Sequence, residues 1–194
     1  MWELNESDKI DEELKLNITP VKHDDKFSWG KGGMYTVRVF DCFHKIACLG
    51  YAFSEKRTKL KDEYKGLKGP QIKELKTKGV EITYSFEEPM FAYVGDTSTQ
   101  VFENSPWLFD YPIIITECTF LRDEQEKAIH DGHTHWDHLL PYVLAHPKTT
   151  FILIHFSLRY RADEIFEFFD NLKQQGTNID NVVIFVGDGS AGKM

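Results

Sequence analysis

The sequence contains no long apolar run: nothing in its 194 residues approaches the ~20 consecutive apolar positions that a membrane-spanning helix needs. Its opening stretch, MWELNESDKIDEELKLNITP, has acids where a secretory leader has bases, and it lacks an apolar centre. A soluble intracellular protein with no membrane contact is therefore expected, in a compartment these residues do not distinguish. Cysteine is scarce. Cys42, Cys48 and Cys118 match neither a disulfide framework nor a zinc ribbon, so we expect free thiols packed as small hydrophobes. Positive charge is in deficit too, with 23 Lys and Arg against 31 Asp and Glu, which argues against a general nucleic-acid binder. Internal repeats and low-complexity tracts are absent.

What is present is 41% hydrophobic and 14% aromatic, enough for one domain with a real core. The basic residues are unevenly placed. Between Glu55 and Val80, nine Lys and Arg stand against four acids, a local charge of +5 that leaves −13 for the rest. A basic segment on an acidic body suits a localised polyanion contact, although a solvated lysine-rich loop has the same composition.

Residues 1–30 are polar and end in the loop-like FSWGKGG, so they read as an amino-terminal segment or connector. From Tyr35 the pattern alternates with period two, giving one strand through Val37 and Val39 and another through Ile46 and Cys48. The charged stretch is broken by Gly66, Gly69-Pro70 and Gly79, as in a loop or arm with one short helix near QIKELKTK. MFAYV, PIIIT, TFILI and NVVIFV have the β-branched and aromatic content of buried strands. Helical patterns lie between them at about 123–130, 137–145 and 162–175, the last with Ile165, Phe168, Phe169 and Leu172 on one face. Alternating strands and helices predict a layered α/β domain.

Four polar residues sit where buried strands end: His44 after VRVFDCF, Asp96 after MFAYVG, Glu117 after PIIIT and His155 after TFILI. Strand ends in layered α/β folds converge on one rim, where ligands and metals bind. Two imidazoles and a carboxylate suit zinc or another divalent ion, because a carboxylate can also bridge two metals. Each has a plainer explanation alone, such as a turn at Asp96-Thr97 or a hydrogen-bonded core histidine at His155.

HKIACLGYAF, KGLKGPQIKELKTKGVEI, FAYVGDT, TECTF with GHTHWDH, and ILIHFSLRY resemble, in order and spacing, the tRNase Z family of the metallo-β-lactamase superfamily. The resemblance runs from about Val37 to Arg161. It implies an α/β metallo-β-lactamase-like αββα sandwich, here incomplete, with residues 31–194 as the carboxy-terminal part of the domain. His44, Asp96 and His155 then match metal ligands, Asp96 bridging two divalent ions, most often zinc and in some cases manganese. Glu117 and His133 match the pair that protonates the leaving 3′-oxygen. Segment 51–90 stands in the place of the arm that grips precursor tRNA, with Lys59, Lys61, Lys65 and Lys68 as substrate contacts and Gly69-Pro70 as its turn.

The family's His-x-His-x-Asp-His motif, which supplies four more ligands and the water-activating Asp, has no counterpart before His44. The one formal match, His133–His138, follows a polar helical stretch instead of a buried strand, so we read it as a decoy. The expectation is therefore a zinc-dependent tRNA 3′-end endoribonuclease activity that needs a missing half, a partner chain or a homodimer. A non-catalytic tRNA-binding subunit and a small-molecule metallo-hydrolase are the alternatives. Gly187–Lys193 imitates a P-loop but has Met194 where a magnesium-binding hydroxyl belongs, and Trp107 and Trp136 read as packing residues.

Overall fold

The apolar runs become the strands of one sheet. The computed structural model describes residues 18–187, so the Gly187–Lys193 string lies almost wholly outside the described residues, as do residues 1–17 of the amino-terminal segment. Seven strands follow one another in chain order across the sheet. They are β1 (Lys26–Trp29), β2 (Tyr35–Cys42), β3 (Cys48–Leu60), β4 (Thr83–Tyr93), β5 (Ile113–Glu117), β6 (Thr150–Ile154) and β7 (Val182–Ile184). Strands β1 to β4 pair antiparallel and β4 to β7 pair parallel. Five α-helices connect or extend them: α1 (Gly69–Thr77), α2 (Gln100–Asn104), α3 (Gln125–Asp131), α4 (Trp136–Ala145) and α5 (Ala162–Gln174).

Period-two alternation gives the sheet two unlike faces. One carries Phe40, Ala52, Ala92, Ile114, Phe151, Leu153 and Val182, all buried beneath Val101, Phe102, Leu139, Val143, Ile165 and Phe169 from the helices. Ile165 and Phe169 lie one turn apart, so α5 docks along the stripe its sequence predicts. Trp136 packs edge-on against Phe169, and Trp107 lies against Phe40 beneath the Arg38 guanidinium, so both tryptophans are packing residues.

The other face is as apolar, but beyond the buried Val37 and Val39 of β2 it remains open across β3 to β7 among the described residues. Tyr51, Phe53, Phe91, Ile113, Ile115, Ile152 and Ile154 are only partly buried, and none joins the core cluster. Tyr93 is 40%, Val183 48% and Phe185 64% exposed on the same side. Parallel strands are normally covered on both faces, because their side chains are apolar on both. Among the described residues, helices cover one face of this sheet and no layer covers the other.

Three local expectations need correction. Ile46 is not in a strand; it sits 73% exposed in the turn between β2 and β3. FSWGKGG is not wholly a loop, since Lys26–Trp29 pairs with β2 residues 35–38. The charged segment is a two-stranded ribbon, with β3 and β4 paired out to Leu60 and Thr83 and α1 at the far end. Periodicity misses such strands because neither face of the ribbon is buried, so polar residues occupy both. Gly69-Pro70 opens α1, and the Gln71 side chain accepts a hydrogen bond from the Lys68 backbone N–H.

Candidate metal and acid–base site

The four strand-end residues do converge. Glu117, at the end of β5, is 1% exposed, and a buried carboxylate is tolerable only when its oxygens are used. Here they are. Oε1 accepts from the Thr97 backbone N–H at 2.7 Å and from His133 Nδ1 at 2.8 Å. Oε2 accepts from the Thr119 hydroxyl and, at 3.1 Å, from the Thr134 backbone N–H. Nδ1 of His133 therefore carries the hydrogen and Nε2 is left facing outward. The hydrogen bond to Glu117 outweighs burial and holds His133 above the ordinary imidazole range.

Thr119 extends the chain. Its single hydroxyl hydrogen goes to Glu117, so its oxygen accepts from His155 Nδ1 at 3.0 Å. That leaves His155 Nε2 free and turned toward Asp96, whose Oδ1 lies 3.7 Å away. His155 has φ of 58°, a left-handed conformation that costs a β-branch-free but bulky residue about 1 kcal/mol or more. Its strand ends in this left-handed turn, one residue past Ile154. The His44 ring lies 4.8 Å from that of His133, centroid to centroid. Gly132 permits this approach: it caps α3 at φ 74°, and a Cβ there would come 3.1 Å from His44 Cα.

Glu117, His133 and His155 offer donor atoms within 4.8 Å of one another. Because Glu117 and His133 Nδ1 are committed to each other, this triad supports the site and is not itself a cation seat. The free donors are Asp96 and His155 Nε2, whose 3.7 Å separation suits two ligands sharing one ion at bonds of about 2.0–2.2 Å. His44 stands beside His133, and its Nδ1 accepts from the Ile46 backbone N–H at 3.2 Å. The residues fit a divalent metal, and the set is partial.

The His133–His138 string is dispersed among separate tasks. His133 serves Glu117, while His135 is fully buried and caps α4 by accepting from the Asp137 N–H. Burial holds His135 below the ordinary imidazole range. Asp137 is exposed and accepts from Gln125, and His138 lines a cavity of about 650 Å³ beside His44, Lys45 and His133. Among the described residues, neither His135 nor His138 joins a metal-binding group of three, and nor do His44 and Asp96.

Sequence reasoning passed over three threonines that tie the site together. Thr97 accepts from the Phe43 N–H at 2.8 Å and, through its carbonyl, from the Thr134 hydroxyl at 2.7 Å, joining the His44 turn to the His133 turn. Thr97, Thr119 and Thr134 are all buried, and the only signal for them was their position next to Asp96, Glu117 and His133. Of the predicted arm residues, Lys59 lies on the ribbon, Lys61, Lys65 and Lys68 in the connection to α1, and Gly69 and Pro70 at the start of α1, none of them at this site.

A mixed sheet with helices on one face and a strand-end rim of His, Asp and Glu defines a partial metallo-β-lactamase-like α/β domain. In structure, the metallo-beta-lactamase fold protein YhfI from Bacillus subtilis superposes at a TM-score of 0.50 and 13% identity, covering 86% of this chain and 51% of that one. No family model matches. The chain is 36% identical over 157 residues to tRNase Z TRZ1 of Arabidopsis thaliana, covering 79% of itself and 55% of that protein. It is 38% identical over 137 residues to the same plant's chloroplastic tRNase Z TRZ2, covering 68% of itself and 38% of that protein. By sequence, then, the chain is a relative of the tRNase Z proteins, and it spans about half their length or less.

Proposed function

We propose that this chain is the leaving-group half of a metal-dependent tRNA 3′-end endoribonuclease. The observation that carries the reading is the buried Glu117–His133 pair, oriented beside Asp96, His155 and His44. Glu117 keeps His133 in one tautomer and raises its basicity, and His133 Nε2 passes a proton to the departing 3′-oxygen. His44, Asp96 and His155 would hold part of a divalent pair, zinc or manganese, which supplies charge stabilisation at the phosphodiester and lowers the pKa of water. The water-activating group and the remaining ligands come from a His-x-His-x-Asp-His segment elsewhere, in the same polypeptide or in a partner. The open apolar sheet face supports this, since a second layer is what would cover it.

Precursor tRNA is the proposed substrate, and the ribbon with α1 (within 51–90) its gripping arm. Near the domain its charge is balanced: Lys56 opposes Glu87, and Arg57 pairs with Glu55 and Glu88. Further out, Lys65 contacts Asp62 and Lys78 contacts Glu74. Among the described residues Lys59, Lys61, Lys68, Lys73 and Lys76 form no ion pair, so the free positive charge lies at the far end.

The test is cleavage of a 3′-extended tRNA transcript with zinc or manganese, by the chain alone and mixed with a polypeptide carrying the His-x-His-x-Asp-His half. Cleavage only in the mixture is expected. Robust, chelator-sensitive cleavage by the chain alone would overturn the division of labour.

A further inference from the structure

Two aromatic rings on the ribbon have no structural core to fill. In the β3–β4 register Lys59 lies opposite Tyr84 and Arg57 opposite Phe86, which puts all four side chains on one face. Tyr84 is 45% exposed and Phe86 half-buried, with their ring centroids 6.0 Å apart. Lys59 Nζ stands 4.2 Å over the Phe86 ring. Neither ring belongs to the core cluster or packs against it. Cross-strand pairing alone would be served as well by branched aliphatic residues, which would not leave the Tyr84 ring face in water.

We infer that Tyr84 and Phe86 form a stacking platform for unpaired RNA bases, with Lys59 and Lys61 beside it to take the adjoining phosphates. This rests on the proposed role of the arm in RNA binding and adds the chemistry by which it selects its contact. Lysines alone hold any polyanion and do not distinguish a duplex from a loop. A ring stacks only on a base whose face is free, and bases within a duplex are already stacked on each other. The platform therefore directs the arm to a loop or single-stranded stretch of a folded RNA. An acidic protein segment would engage the lysines but would gain little from the rings.

The experiment is binding of the full chain, by fluorescence polarisation across a salt series, to three labelled probes: a tRNA transcript, a uridine oligonucleotide and a blunt RNA duplex. Tyr84→Leu and Phe86→Leu keep an apolar strand residue. Each should weaken binding to the tRNA and the oligonucleotide at least about fivefold, with little change in the salt slope or in duplex binding. Tyr84→Trp should retain binding, and its added fluorescence should be quenched by the oligonucleotide. Unchanged affinity in both leucine variants would overturn the platform, as would equal losses on the duplex or an unquenched Trp. If the unaltered chain binds none of the probes, the arm reading falls with it; if it binds them and only the leucine variants are silent, the arm reading stands.

Discussion

Replacing Glu117 tests the construction of the site directly. Glu117→Ala removes the acceptor for the buried Thr97 and Thr134 backbone N–H groups, for the Thr119 hydroxyl and for His133 Nδ1. The hydroxyl can turn to the His155 carbonyl, 3.1 Å away, and His133 can reach water. The two backbone donors cannot escape, and each buried donor left without a partner costs about 1–3 kcal/mol. A loss of roughly 2–6 kcal/mol follows, read as a lower urea midpoint at unchanged slope. Glu117→Gln keeps the shape and should cost less, because only one acceptor becomes a donor. It also removes the interaction that raises the His133 pKa. In the unaltered protein that raised value contributes stability that is complete below the ordinary pKa of 6.5 and disappears as pH rises through the folded value. Stability should thus fall as pH rises above 6.5, and Glu117→Gln should flatten this dependence. A Glu117→Ala loss below about 1 kcal/mol would refute the reasoning, since it would mean the donors are not buried against this carboxylate.

Further outcomes follow from the same geometry. His155→Ala and Asp96→Asn should each abolish or weaken zinc binding by at least about tenfold in calorimetry. Leu153→Ala, on the helix-covered face, should cost about 2–5 kcal/mol, whereas Ile152→Ala next to it on the open face should cost the isolated chain less than half as much. Equal losses would mean that the open face is covered. Changing Lys59, Lys61, Lys68, Lys73 and Lys76 together to Ala should weaken tRNA binding and lower its salt slope, by up to about 0.7–0.9 for each phosphate that is no longer neutralised. Weaker binding with an unaltered slope would show that those lysines do not face the phosphates.

What the sequence determined by itself is whatever depends on neighbours along the chain. The apolar runs at 113–117 and 150–154 and the stripe Ile165, Phe169 became β5, β6 and α5 because burial on one side leaves a local period. The placement of Asp96, Glu117 and His155 at strand ends was equally readable, and with it the rim. The polar helix ahead of His133–His138 was also legible, and it became α3. Tertiary structure decided the rest. The partners of Glu117 come from residues 2 to 20 positions away, and which of them donates depends on how three strand ends meet. The left-handed turn at His155 carries no glycine to announce it, and the approach of His44 to Gly132 spans 88 positions. The ribbon was hidden because strands without a buried face have no pattern to display. The open face was hidden for the opposite reason: its residues are as apolar as a core, and only the folded sheet reveals that nothing described lies over Tyr93, Val183 and Phe185. Local pattern records which residues prefer burial; only the assembled layers record which of them obtained it.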